Sequence, residues 1–428
     1  MLSLNELARR ALAQFEVPGV AVAIVKDGEI IAAEGFGQRS LGAPDPVDAH
    51  SLFGIASISK TFTATALAML VDEGRLAWDD PVSRYLPDFQ LADPFASREL
   101  RVRDLLIHNS GLGEVSGGTV WYGSDLSRAE VVRRLRYLPP AASFRSRFAY
   151  QNVTFLVAGQ IVQAITGQSW DQVVCERIFQ PLGMTRSTTS VPALLERDNV
   201  AQPHARIRAA VRPVPIRSHD NVGPAASINT SAIELAQYAL LHLGRGATAG
   251  RQLFSEQRSA ELWSAQTAIP IEPPHPALQR LQPRFYAYGL GWYLRDYRSR
   301  KVVSHSGGVD GYRTLLTLVP EENLGVIVLS NQETAITHAI TYTLLDDVFG
   351  APPFDWVAAY TAAAAEGRQT EEARQRQQAA ERVSNTRPSL PLEGYAGAYA
   401  DPLVDAVSVA LEDNRLTLRF QHTPAFTA

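Results

Sequence analysis

Ser57 and Lys60 stand three residues apart in the run Phe53-Gly54-Ile55-Ala56-Ser57-Ile58-Ser59-Lys60-Thr61. A serine hydroxyl is a weak nucleophile until a neighbouring base takes its proton, and an unprotonated lysine amine can be that base. Residues at i and i+3 are neighbours on a helix surface. Helical spacing follows at once in Phe62, Ala66, Leu67, Leu70 and Val71, with Gly74 as the stop. The serine is therefore expected in the first turn, where free N–H groups and the positive dipole end favour developing negative charge. The setting suits acyl transfer. Serine and lysine at this spacing are common on surfaces, but lysine is scarce here. Lys26, Lys60 and Lys301 are the whole supply, and neither of the others follows a serine by three residues. Arginine would serve a solvated face as well, yet cannot give up its proton to act as a base.

Two further polar clusters could complete such a site. Phe148-Ala149-Tyr150-Gln151-Asn152 follows a Pro139-Pro140 loop and precedes an apolar helical pattern, so Tyr150 and Asn152 can project into a cleft. Beside a cationic lysine a tyrosine pKa falls, and the hydroxyl can relay protons. Equally, Tyr150 can pack on the helix with Asn152 as its N-cap. The second cluster is Ser304-His305-Ser306-Gly307-Gly308-Val309-Asp310-Gly311, between two strand patterns. Paired glycines admit a ligand close to the backbone, and His305 can polarise a substrate or move a proton near neutral pH. The same residues also make a Gly-rich turn with a histidine at its edge.

The elements that must position these groups are legible in outline. Ser3-Leu4-Asn5-Glu6 reads as a capping box opening a helix through about Phe15. Two apolar runs, Val20 to Val25 and Glu29 to Phe36, flank Lys26-Asp27-Gly28 and predict a hairpin. Helical periodicity covers 126–137, 153–166 and 231–243, and Ser264 to Pro283 reads as a surface loop. Strand character returns at Tyr288 to Tyr293, Val302-Val303, Thr314 to Val319 and Gly325 to Ser330, before a helix at 333–348. Strands at both ends with helices between them imply one shared sheet with the helical block packed beside it. The expected fold is α/β, an antiparallel sheet flanked by helices plus an all-helical insertion. The expected units are a catalytic domain at 1–352, its sheet drawn from residues 1–56 and 286–352 and its helical block from 57–285, then a helical linker at 353–391. A partial β domain at 392–428 follows, its strands at 407–411 and 415–420 alternating as a hairpin too small to stand alone.

Composition removes several function classes. With 428 residues, 46% hydrophobic and 20% charged, the chain can bury a large core and is not disordered. A net charge of −4 argues against nucleic-acid or anionic-membrane partners. Arg133-Arg134-Leu135-Arg136 reads as one solvated helix face. The single Cys175 excludes an internal disulfide and any multi-cysteine metal site, and is expected as a buried small apolar residue. No apolar stretch is long enough to span a bilayer. The N-terminus lacks a basic region followed by an apolar one, so a cytoplasmic protein is expected, or a periplasmic or secreted one if a leader has been removed.

Taken in order, the three polar segments resemble the serine β-lactamase and penicillin-binding-protein superfamily, in its class C-like branch. That branch includes family VIII carboxylesterases, D-aminopeptidases and related serine hydrolases. Ser57-x-x-Lys60 matches the nucleophile motif, Tyr150-x-Asn152 the second motif, and His305-Ser306-Gly307 stands in the place of Lys-Thr-Gly. Leu105-Leu106-Ile107-His108-Asn109-Ser110-Gly111-Leu112, Pro181-Leu182-Gly183-Met184, Tyr288-Gly289-Leu290-Gly291-Trp292 and Leu329-Ser330-Asn331 add support, over roughly residues 5–348.

The resemblance implies that Ser57 is acylated, that Lys60 and Tyr150 share the base and acid roles, and that Asn152 positions Lys60 and the substrate. It implies an oxyanion hole from the N–H groups of Ser57 and Gly308, and neither a metal nor an organic cofactor. His305 departs from the lysine that faces the carboxylate of a penicillin, and a histidine of ordinary pKa, about 6.5, is mostly neutral at pH 7. Esters or small amides are therefore the expected substrates. A penicillin-recognising D,D-carboxypeptidase or weak β-lactamase is the alternative, and a non-catalytic scaffold the second alternative. A homo-oligomer is compatible with either. Trp121, Tyr122, Phe144, Phe285, Tyr286 and Tyr312 are candidates for an acyl pocket or for core. Tyr395-Ala396-Gly397-Ala398-Tyr399 resembles the opening of a lipocalin-like barrel found on some members.

Overall fold

The structure, a computed structural model, describes residues 3–384 and 386–423, so the outermost stretches of the expected first and last units, 1–2 and 424–428, lie outside the described residues. Ser3 and Glu6 form the expected capping box on α1 (Leu4–Phe15). The chain then enters strand β1 (Gly19–Lys26), turns through Asp27 at φ 52° and Gly28 at φ 88°, and returns as β2 (Glu29–Gly37). Two successive positive φ values are what a tight hairpin turn requires, and aspartate and glycine tolerate them.

Six later strands complete the same sheet: β3 (Thr267–Ala268), β4 (Tyr286–Tyr288), β5 (Tyr293–Tyr297), β6 (Arg300–Val309), β7 (Tyr312–Val319) and β8 (Leu324–Ser330). Their order is β2-β1-β8-β7-β6-β5-β4-β3, antiparallel throughout. The N-terminal strand β1 pairs with the far β8, Val20 opposite Ser330, which is how both ends come to share one sheet. All seven residues of β8 are buried, as expected for a strand covered on both faces.

Two cores lie on opposite sides of this sheet. One face packs on helices of the central block, chiefly α2 (Ser59–Asp72), with α3 (Arg128–Arg134), α4 (Val153–Thr166) and α5 (Ala232–Leu243) around it. The other face packs on α1, α6 (Ile336–Val348) and the first turns of α7 (Trp356–Ala380), where Trp356 and Ile340 are fully buried. The central block also carries short two-stranded ladders, among them Phe53–Gly54 with Asn229–Thr230. Helix α2 is buried from Ser59 to Leu70 without a wet face. A helix buried all round belongs in the middle of a large protein, and its Thr61, Thr63 and Thr65 hydroxyls are bonded internally.

The run Tyr288–Tyr293, expected as one strand, has only its two ends in strands, Tyr288 closing β4 opposite Tyr293 opening β5, and residues 289–292 form the turn between them. Gly291 sits there at φ 82°, and a Cβ would come within 3.2 Å of the Lys60 carbonyl oxygen. Arg134, expected on a solvated face, is buried at 2% exposure. Its guanidinium reaches Glu130, the Leu403 carbonyl at 2.7 Å and the Asp405 carboxylate. Those last two partners lie in the turn before β10 and at its first residue, in a C-terminal antiparallel sheet of β9 (Gly397–Asp401), β10 (Asp405–Glu412) and β11 (Arg415–Phe420). His422 adds contacts to Asp125 at 2.8 Å and Asp405 at 3.1 Å. A partner 271 residues along the chain leaves no trace in a local charge pattern. Cys175 is half-buried rather than buried.

Candidate active site

From Ser51 to Leu70 every residue is buried except Ser57. Ser57 occupies a single 3-10 turn, Ala56–Ile58, that runs straight into α2. Ala56 before it is held at φ 47°, a left-handed conformation worth roughly 1–3 kcal/mol of strain in a residue other than glycine. The strain has the effect of lifting one hydroxyl out of an otherwise closed segment.

Lys60 lies one turn further on and is fully buried. Its Nζ is 3.0 Å from Ser57 Oγ, 2.7 Å from Asn152 Oδ1 and 3.1 Å from the Ala225 carbonyl oxygen. Burial, with no carboxylate among these partners, holds the amine well below the ordinary lysine range. Asn152 directly precedes α4 but makes no side-chain cap there; its side chain is spent on Lys60 instead.

The Tyr150 ring centre is 4.8 Å from Lys60 Nζ, and its hydroxyl interacts with the Ser57 side chain. Burial raises the Tyr150 pKa, whereas the sequence pointed to a lowered one. The difference follows from Lys60, which supplies a cation only when protonated. The Tyr150 loop is fixed from beneath by His108, a buried residue at φ 58°. The Ala149 N–H donates to the His108 carbonyl at 2.8 Å, and the Gln151 N–H to His108 Nδ1 at 2.9 Å. The imidazole lies 4.3 Å from the Tyr150 ring centre and is itself kept neutral by burial.

His305 is 1% exposed. Its Nδ1 donates to the Ser306 carbonyl at 2.7 Å, so Nε2 accepts from the Tyr288 hydroxyl at 2.8 Å. With both nitrogens engaged and the pKa lowered by burial to about 3, His305 does not shuttle protons near neutral pH as its residue type led one to expect. The β5 ladder ends at Tyr293 opposite Ser304, leaving that edge of β6 without a strand partner among the described residues from His305 onward. Gly307 faces the Ser57 turn, where an added Cβ would stand 2.1 Å from the Ile55 carbonyl oxygen and 2.4 Å from Thr314 Oγ1. Gly308, one residue on, is exposed. Gly307→Ala is expected to lower the melting temperature and to cost most of the activity. Overpacking of this kind amounts to about 1–3 kcal/mol, and paired melting curves and initial rates check it.

The structure thus gathers Ser57, Lys60, Tyr150 and Asn152 in direct contact, with His305 and Gly307 in the adjoining strand. The carbonyl of Ala225 joins them without any sequence signal, since a backbone oxygen has none. Of the aromatic candidates, Tyr312 is core with its hydroxyl on the Ala201 carbonyl, and Phe285 is exposed. Tyr122 donates to Asp310 at 2.8 Å, where Arg217 also binds at 2.7 Å, bordering the end of β6.

The family model described as Beta-lactamase matches residues 4–348, and one described as "Domain of unknown function (DUF3471)" matches residues 381–428. The chain is 28% identical to Unguisins hydrolase ungD of Aspergillus violaceofuscus (strain CBS 115571), over 94% of this chain and 75% of that protein. It is 28% identical to Penicillin-binding protein 4 of Amycolatopsis lactamdurans, over 74% of this chain and 82% of that one. In fold it is similar to the octameric penicillin-binding protein homologue from Pyrococcus abyssi, with TM-score 0.72, 24% identity, and 99% and 88% of the two chains covered. A D-stereospecific amidohydrolase from Streptomyces sp. superposes with TM-score 0.60 at 23% identity, over 77% and 93%. With its family model matched over most of its length, the chain belongs to the Beta-lactamase family, within the serine β-lactamase and penicillin-binding-protein superfamily of serine hydrolases.

Proposed function

We propose that the protein hydrolyses carboxylic esters or small amides through an acyl-enzyme on Ser57. The observation that carries this reading is the set of three partners around Lys60. Two of them, Asn152 Oδ1 and the Ala225 carbonyl oxygen, only accept hydrogen bonds. A neutral amine has two hydrogens and one lone pair. With the hydrogens committed to those acceptors, the lone pair is left for the third neighbour, the Ser57 hydroxyl.

In this mechanism Ser57 Oγ attacks the substrate carbonyl carbon as its proton passes to Lys60 Nζ. The tetrahedral oxyanion is met by the N–H groups of Ser57 and Gly308, one such donor being worth about 2.7–4 kcal/mol. As the carbonyl re-forms, the bond to the leaving alcohol or amine breaks, and Tyr150 relays the proton from Lys60 to it. Water then attacks the acyl-enzyme, giving its proton to the Tyr150–Lys60 pair, and Ser57 leaves protonated with release of the carboxylic acid. Asn152 orients Lys60 and the substrate, and neutral His305 with Gly307 shapes the wall. No fixed positive charge stands at His305 to meet a penicillin carboxylate, which supports esters and amides over β-lactams.

The same reading takes 1–352 as the catalytic unit, 353–391 as a helical linker and 392–428 as a portion of a β unit. Support comes from the sheet that joins both ends of the first span and from the separate three-stranded sheet in the last. The test is a panel of p-nitrophenyl esters of increasing acyl length, D-amino acid amides and nitrocefin. Turnover of an ester or amide above that of nitrocefin is expected. The similarity to a penicillin-binding protein favours a second reading, and slow-release labelling by a fluorescent penicillin with no ester or amide turnover would establish it in place of the first.

A further inference from the structure

The strand that carries His305 and Gly307 toward the nucleophile has a second face. Alternate residues, Ser304 and Ser306, point to the other side of the sheet, into a cavity of about 210 Å³ closed over by α6 and α7. Water occupies about 30 Å³ per molecule in the liquid, so this space holds several waters or one small ligand. Its lining is unusually polar for a place between a sheet and two helices. Ser304, Ser306 and Thr317 from the sheet and Tyr342 and Tyr360 from the helices turn hydroxyls to it, and none of these hydroxyls bonds to another described residue.

One charged group lines the cavity. The Arg295 guanidinium donates to the Leu281 carbonyl, but its buried Nε has no partner and no carboxylate pairs with it among the described residues. The charges felt by His338 in the same wall are Arg313 and Arg295, both positive, and together with burial they hold this imidazole neutral. Arg295 is half-buried, and polar groups withdrawn from bulk water are ordinarily hydrogen-bonded and charges there ordinarily paired. Water can satisfy the hydroxyls, but it does not neutralise the guanidinium.

We propose that this cavity is a binding site for a small oxyanion, a carboxylate or phosphate group, held by the charge of Arg295, through the guanidinium arm not engaged by Leu281, and by the hydroxyls of Ser304, Ser306 and Thr317. A guanidinium arm donates charge-assisted hydrogen bonds to such a group, and the serine and threonine hydroxyls complete a donor set with no competing carboxylate among the described lining residues. The site lies on the reverse of the strand from Ser57 and is independent of what Ser57 does.

Equilibrium dialysis with radiolabelled acetate and, separately, inorganic phosphate tests it on the full chain, in chloride buffer of matched ionic strength. Saturable uptake of one anion per chain is expected, equal in wild type and Ser57→Ala and at least tenfold weaker in Arg295→Gln. Acetate alone binding would identify the carboxylate as the group recognised, and phosphate alone the phosphate. Thr317→Val, which leaves the arginine in place, is expected to weaken binding at least threefold and serves if Arg295→Gln does not fold. Absence of saturable uptake would show a cavity filled by water and overturn the proposal. So would uptake that the cavity variants leave unchanged, or that Ser57→Ala abolishes.

Discussion

Ser57→Ala is expected to lower kcat for ester or amide hydrolysis by about 10⁴- to 10⁶-fold, the scale seen when a nucleophile is removed from a cooperating set. KM should move far less, because the walls of the cleft are untouched. Stability should also hold, since the side chain is partly exposed and its main partner, Lys60, keeps Asn152 and Ala225. Initial rates, together with mass spectrometry of a slowly deacylating ester, check both halves. Wild type gains the mass of one acyl group on the peptide containing Ser57, and the variant gains none. Turnover by the variant within tenfold of wild type would remove Ser57 as nucleophile.

Lys60→Met is expected to abolish turnover on a similar scale and to leave a signature in stability. Burial depresses the folded-state pKa of Lys60 well below the ordinary lysine range, whereas in the unfolded chain it is about 10.4. Between those two values the unfolded state binds a proton that the folded state does not. This one group therefore makes wild type more stable as pH rises through that window, by about 1.4 kcal/mol per pH unit, and less stable as pH falls. Methionine has no such dependence. Wild type should gain on Lys60→Met as pH rises toward the unfolded-state value of about 10.4 in urea unfolding. Parallel pH profiles would mean that the folded amine carries its proton, and the base assignment would fail.

The sequence disclosed which residues gather around Ser57 better than it disclosed their electrostatics. The scarcity of lysine singled out Lys60, and the motif spacing brought in Tyr150 and Asn152. Which of two roles Asn152 fills, helix cap or lysine partner, depends on a contact between residues 92 apart, and periodicity does not encode it. The direction of the Tyr150 pKa shift is hidden for the same reason. It depends on whether Lys60 is charged, and that depends on how deeply α2 is buried. His305 illustrates the limit most clearly. Its residue type promised a group that titrates near pH 7, but the Tyr288 hydroxyl and the Ser306 carbonyl occupy both nitrogens.

In the fold, hairpins and helices with local signals were legible, from the Ser3–Glu6 capping box to the Asp27-Gly28 turn. The failures were at long range. The turn within Tyr288–Tyr293 exists because Gly291 packs on α2, and the burial of Arg134 exists because Leu403 and Asp405 come to meet it.

The pairing of β1 with β8 also has a consequence for how the chain is made. Strand β1 ends at Lys26, and its partner is finished only at Ser330. At about 5–20 residues per second, synthesis of the intervening stretch takes roughly 15–60 s. During that time the β1–β2 hairpin leaves the ribosome with one apolar edge unclosed, and a two-stranded hairpin is only marginally stable. Folding of this protein is therefore a late event on the ribosome. That hairpin is a segment on which chaperones, or aggregation, have a long opportunity to act.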